Sequence, residues 1–176
     1  MPGRLVTSPA HDRLDLLAAP VARVVEGWAP DDALLVAEID PELADTAAFC
    51  AAYDVPLEAS ANCVVVAGRR GPDTRLAACV ALATTRVDVN GVVRRQLDAR
   101  KASFAPQDLA VAETGMEHGG ITPFGLPVEW PLLLDAAVVA APYVVVGSGL
   151  RRSKLVVPGA SLARLPGARV LDDLAR

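Results

Sequence analysis

The chain has 176 residues, the size of one domain with a sizeable core, and 52% of them are apolar. Its net charge of −4 argues against nonspecific wrapping of nucleic acid, which needs a basic surface, and no run of like charges is long enough for a disordered tail. Met1-Pro2-Gly3-Arg4 does not open a secretory signal, and the longest apolar stretch, 130–149, carries Asp135, two prolines and Gly147-Ser148-Gly149, which suits two strands rather than a membrane span.

Leu14, Leu17, Val21, Val24 and Val25 recur at helical spacing over 10–27, and Pro20 inside the run predicts one kinked helix or two short ones. Pro30-Asp31-Asp32 reads as a turn and 33–37 as a short buried strand that ends by Asp40. Asp40 followed by Pro41 has the form of an N-cap with proline at the first helical position, opening an alanine-rich helix to about Tyr53. The apolar runs 63–67 and 76–83, joined by 68–74, predict an antiparallel hairpin with a longer loop. Asp88 caps a helix to about Ala99, 102–104 is a short strand, and Pro106 starts a helix that Gly115 ends. After a loop over 116–127, the segments 132–134, 143–146 and 155–157 read as strands, with a turn at Gly147-Ser148-Gly149. The segments 160–165 and 170–175 are short helical or extended pieces. No repeat, linker or internal boundary is visible, so one α/β domain over 1–176 is expected, with the cytoplasm as its default location.

Cys50, Cys63 and Cys79 are an odd count at unrelated spacings among alanines and valines, which predicts buried apolar residues and neither a zinc site nor a disulfide framework. The 17 basic residues include only two lysines, Lys101 and Lys154. Arg69-Arg70, Arg94-Arg95, Arg100-Lys101 and Arg151-Arg152 with Lys154 are candidate basic patches, though solvated surface pairs are the simpler reading of each. The densest local signal is Gly119-Gly120-Ile121-Thr122-Pro123-Phe124-Gly125. Three glycines and a proline there either close a turn or bring backbone N–H groups up to a carboxylate, a phosphate or a developing oxyanion. His118, directly before it, is a candidate base or hydrogen-bond partner, or else an exposed loop residue. No nucleophile elbow, Walker loop, His-Glu-x-x-His or dinucleotide fingerprint is present.

Over roughly 42–172 the chain resembles the YbaK and prolyl-tRNA-synthetase-associated editing-domain family. The match is carried by Asp45-Thr46-Ala47-Ala48, the strands beginning at Asn62 and Leu76, Lys101-Ala102-Ser103-Phe104-Ala105, Thr114-Gly115, the Gly119-to-Gly125 loop, and Gly147-Ser148-Gly149 with the strand after it. The resemblance implies a compact α/β fold with a mixed, mostly antiparallel sheet and surrounding helices, and leaves 1–41 as a variable N-terminal segment. It implies hydrolysis of the ester of a small noncognate amino acid on tRNA, in trans and often on tRNA for proline, with no metal or organic cofactor. It makes Gly119 and Gly120, with Pro123, the family's Gly-x-x-x-Pro loop around the carbonyl. Thr122, His118, Gly147, Ser148 and Gly149 are implied beside the substrate.

At the position of the family's functional lysine this chain has Asn62, whose neutral amide offers hydrogen bonds about half as strong as those of an ammonium. Neither lysine replaces it by position: Lys101 precedes a different strand and Lys154 follows the second glycine turn. Three readings follow. The chain deacylates tRNA with backbone donors, with Asn62, Gly119 and Gly120 as the catalytic set; it binds aminoacyl-tRNA or an aminoacyl ligand without turnover; or it has unrelated partners. Small residues such as Ala61, Cys63 and Thr84 suit a short side chain or ordinary strand packing. The resemblance requires Asn62 and the loop backbone to border one cavity, and on it Asn62→Lys raises deacylation.

Overall fold

Residues 3–28 and 33–176 are described by the computed structural model; the turn expected at Pro30-Asp31-Asp32 lies outside them. A short strand, Thr7–Pro9 (β1), runs into the 3-10 helix Ala10–Leu16 and then the helix Ala19–Glu26 (α1). The predicted helical run is thus two short pieces. Pro20 stands in the first turn of α1, where its missing N–H is not needed, and Val21 and Val25 are buried. Strand Leu35–Glu38 (β2) follows, close to its predicted place.

The single helix expected from Asp40 to Tyr53 is divided. Asp40 accepts from the Glu42 N–H and caps only a 3-10 turn, Pro41–Leu43, and Asp45 then accepts from the Ala47 N–H and caps Thr46–Tyr53 (α2). Two caps five residues apart restart the chain in a new direction, which places Ala44, Asp45 and Thr46 at the bend.

Strands Ala61–Arg70 (β3) and Asp73–Leu82 (β4) pair without interruption from Ala61 with Leu82 to Arg70 with Asp73. The hairpin is longer than predicted and its turn is only Gly71-Pro72, Gly71 taking φ 60°. Gly68 marks close packing instead of a loop, since a Cβ there would meet side-chain atoms of Leu97 and Ala99 at 2.9 Å. Asp88 caps a wide turn, Val89–Val93, that passes into the short helix Arg94–Gln96 (α3). Strand Lys101–Phe104 (β5) and helix Gln107–Thr114 (α4) come next, the latter closed by Gly115 at φ 66° as predicted. After the glycine-rich loop come Leu132–Asp135 (β6), Ala136–Ala140 (α5), Val144–Gly147 (β7), Ser153–Val157 (β8), Gly159–Leu162 (α6) and Ala168–Leu171 (β9). Helix α5 was not read from sequence; Asp135 caps it by accepting from the Ala137 N–H.

The described strands form two sheets. One is antiparallel in the order β1-β2-β8-β7. The other runs β5-β3-β4-β6-β9, antiparallel across β5, β3 and β4 and parallel across β4, β6 and β9. The α/β, mixed and mostly antiparallel architecture is therefore as expected, but divided over two sheets whose inner faces share the main core. Val36, Val144, Val146, Leu155 and Val157 come from the first sheet and Ala61, Val65, Ala78, Val80, Leu132 and Leu134 from the second, with Leu16, Val21 and Val25 of the N-terminal segment among them. Helix α2 covers the outer face of the first sheet through Phe49 and Cys50, and the Val89–Val93 turn covers that of the second. No described helix is long and apolar enough to cross a membrane.

Candidate active site

Strand β5 pairs with β3 only from Val66 to Arg69, which leaves the first half of β3 beside a cavity of ≈ 470 Å³. A parallel bridge from Ser60 to Val145 brings β7 to the opposite wall. Small and apolar side chains such as Ala61, Cys63, Val65 and Val146 line it, together with the polar residues Asp45, Thr46, Asn62, His118 and Lys154 and the backbone of Gly119 and Gly147.

Asn62 is the exposed second residue of β3, and its Oδ1 accepts a 2.7 Å bond from the Thr46 hydroxyl at the start of α2. That contact occupies the amide oxygen and leaves both Nδ2–H donors for a ligand. Cys63 is partly buried. Burial pushes its thiol, and that of Cys79, well above the usual range, Cys79 to about 12, so Cys63 contributes shape and no thiolate. Cys50 and Cys79 are buried and Cys63 is partly buried, and all three are free thiols.

The glycine-rich loop is built differently from the sequence expectation. The Gly120 N–H donates to Glu117 O and its carbonyl accepts from the Gly149 N–H, while the Glu117 N–H donates to Gly149 O. Gly120 is thus buried and its donor is used inside the loop. A Cβ at Gly120 would lie 2.8 Å from Leu150 backbone, and one at Gly147 2.3 Å from Gly120 O, so these glycines permit close approach of two backbones. Gly119, at φ 82°, and His118 before it are the exposed loop residues at the cavity. Thr122 and Pro123 are buried behind it and do not border the cavity. Neither do Ser148, whose hydroxyl bonds to the Ser153 hydroxyl and backbone, nor Gly149, packed on Ala18. Thr84 is exposed and away from the cavity.

Lys154 is the residue that sequence reasoning passed over. It lies in β8 directly across from Gly147, 8% exposed, on the face that α2 covers. Its Nζ donates to Ala44 O at 3.0 Å and lies 5.2 Å from the Phe49 ring centroid. Burial pushes its pKa below the ordinary lysine range; Arg151 acts in the same direction, and Cys50 and Asp45 oppose it. Position along the chain separates it from Asn62, but the two side chains border one cavity. The signal in the sequence is a lone lysine in a strand whose five residues are all buried. Which face of β8 is covered by a helix is not encoded locally.

Arg151 and Arg152 are not a free basic patch. Arg151 donates to His118 O and Pro41 O, and its N–H donates to the Glu117 carboxylate; Arg152 donates to Asp15 O. Arg151 therefore ties the loop carrying His118 and Gly119 to the bend before α2. Among the described residues no group of three or more His, Cys, Asp or Glu is placed to hold a metal ion.

Residues 40–165 match the sequence profile of the aminoacyl-tRNA editing domain. The chain belongs to the aminoacyl-tRNA editing domain family. Solved structures agree on the fold of this editing domain. A candidate trans-editing enzyme for prolyl-tRNA synthetase is 21% identical over 94% of this chain and 96% of that one, with a TM-score of 0.71. A protein from work on epitope backbone grafting onto scaffolds is 22% identical over 88% of this chain and 95% of that one, with a TM-score of 0.73. The hypothetical protein APE2540 is 20% identical over 80% and 90%, with a TM-score of 0.69. No curated protein sequence is significantly similar to this chain.

Proposed function

We propose that this editing domain hydrolyses, in trans, the ester joining a small noncognate amino acid to tRNA, with tRNA for proline as the first candidate. The observation that carries the reading is that Asn62, Gly119 and Lys154, from three separate elements, border one small-walled cavity. Water adds to the ester carbonyl carbon, the bond to the terminal ribose oxygen breaks, and that oxygen leaves with a proton as a tRNA hydroxyl. Negative charge develops on the carbonyl oxygen, and the Gly119 N–H, the Asn62 amide and the Lys154 ammonium are the donors assigned to it. Asp45 is assigned to the substrate's α-ammonium and His118 to a hydrogen bond at the reacting group. Gly147, Ala61 and Cys63 limit the space for the amino-acid side chain.

The alternative is binding of aminoacyl-tRNA without turnover, favoured by the neutral amide at position 62. Incubation with tRNAs charged with Ala, Ser, Thr or Cys separates the two. The editing reading expects loss of charge from at least one of them, reduced in Gly119→Val, whose side chain enters the space of the Arg151 guanidinium at a backbone φ of 82°. A panel that stays fully charged at high protein concentration, while tRNA still binds, supports the alternative.

A further inference from the structure

We propose that the exposed ring of Phe104 and a second cavity beside it hold the terminal adenine of the tRNA acceptor end. The proposal rests on the editing reading, because an aminoacyl ester is carried on the terminal ribose and whatever holds the aminoacyl group must open directly onto space for a nucleoside. A cavity of ≈ 550 Å³ adjoins the first and shares Asn62, Val64 and Phe104 with it. Its wall is mixed: Val64, Ala81, Leu82, Val87 and Val89 give an apolar floor, and Thr85, Arg86, Asp88 and Asn90 add hydrogen-bonding and charged groups beside it. That volume falls in the range of small-molecule sites, and an apolar floor edged by hydrogen-bonding side chains suits a flat heterocycle with polar edges.

Phe104 ends the edge strand β5 and is 61% exposed. Its pairing with Val66 places it on the face of β3 that carries Val64 and Asn62. The ring is therefore held by backbone ladder bonds while its face remains open. Proteins that bind single-stranded ends combine a positively charged groove with aromatic rings on which the bases stack, and each stacked base adds to the affinity on its own account. The net charge of −4, and the use of Arg151 and Arg152 inside the fold, leave such a groove undersupplied here. Asn62, at the boundary of the two cavities, then faces the ribose between base and ester.

The test compares Phe104→Ala, Phe104→Leu and Phe104→Trp with the wild type on a charged tRNA and on the ethyl ester of the same amino acid, which has no nucleoside. Stacking predicts that KM for charged tRNA rises about 10- to 100-fold in the Ala and Leu variants with kcat retained, that Trp keeps the wild-type KM, and that the change on the ethyl ester is much smaller than that on charged tRNA. Emission of Phe104→Trp, with the wild type as blank for Trp28 and Trp130, is quenched by a CCA trinucleotide. An unchanged KM in the Ala and Leu variants, a parallel loss on the ethyl ester, or absence of quenching overturns the proposal. Failure of the wild type to deacylate any charged tRNA overturns the editing reading instead, and quenching by CCA still decides the platform.

Discussion

Lys154 spends one of its three donors on Ala44 O, so two remain for a ligand in the same cavity as Asn62. With an ammonium already present, a second one at position 62 adds like-charge repulsion in a partly desolvated space. Asn62→Lys alone is therefore expected not to raise deacylation, a reversal of what the family pattern suggests. Lys154→Gln lowers kcat/KM by about 100-fold, the scale of losing one oxyanion donor, and adding Asn62→Lys to it recovers part of the loss. Single-turnover deacylation across the four proteins measures this, and full activity in Lys154→Gln removes Lys154 from the site. Gly147→Ala tests the loop from behind. Its methyl would sit 2.3 Å from Gly120 O and 2.8 Å from Ile121 O, so the loop must move. A cost of about 1–3 kcal/mol in urea unfolding, with a fall in deacylation, is expected.

Short, capped elements carry the site, and each cap acts locally on its position. Asp45 and Asp40 set the bend from which Ala44 reaches Lys154 and Thr46 reaches Asn62. Asp135 works the same way on the far side of the molecule. It is buried, caps α5 through the Ala137 N–H and also accepts from the Ala175 N–H, both at 3.0 Å. Asp135→Ala removes a cap and orphans a partly buried N–H, so a loss of about 2–4 kcal/mol is expected from the two effects together. Chemical denaturation measures it, and a loss indistinguishable from zero means that the C-terminal segment is not held by this carboxylate.

Across the whole molecule the buried lysine couples folding to pH. Its folded pKa lies below the ordinary 10.5, so between the folded value and 10.5 the unfolded chain binds more protons and stability rises with pH; below the folded pKa the full penalty of the buried charge is present. Subtracting the pH profile of Lys154→Met from that of the wild type is expected to leave this rising slope on the alkaline side, read by thermal unfolding, and a flat difference refutes it. Strand periods, the Asp88 cap and the helix stop at Gly115 were legible in the sequence because each depends on residues within one turn or one pleat, whereas the restart at Asp45 and the Asp135 cap depend on how the chain turns between elements. So was the family pattern, because Asn62, the glycine-rich loop and Gly147-Ser148-Gly149 occur in order along the chain. Gly120 was misread as a ligand-facing donor because its partner, Glu117 O, and the backbone packed on it, Leu150, depend on how two loops meet. Lys154 entered the site for the same reason. Alternation assigns a residue to a face of its strand, but only the packing of α2 over that face, with Ala44 at its N-terminal bend, turns a strand lysine into the cation of the cavity.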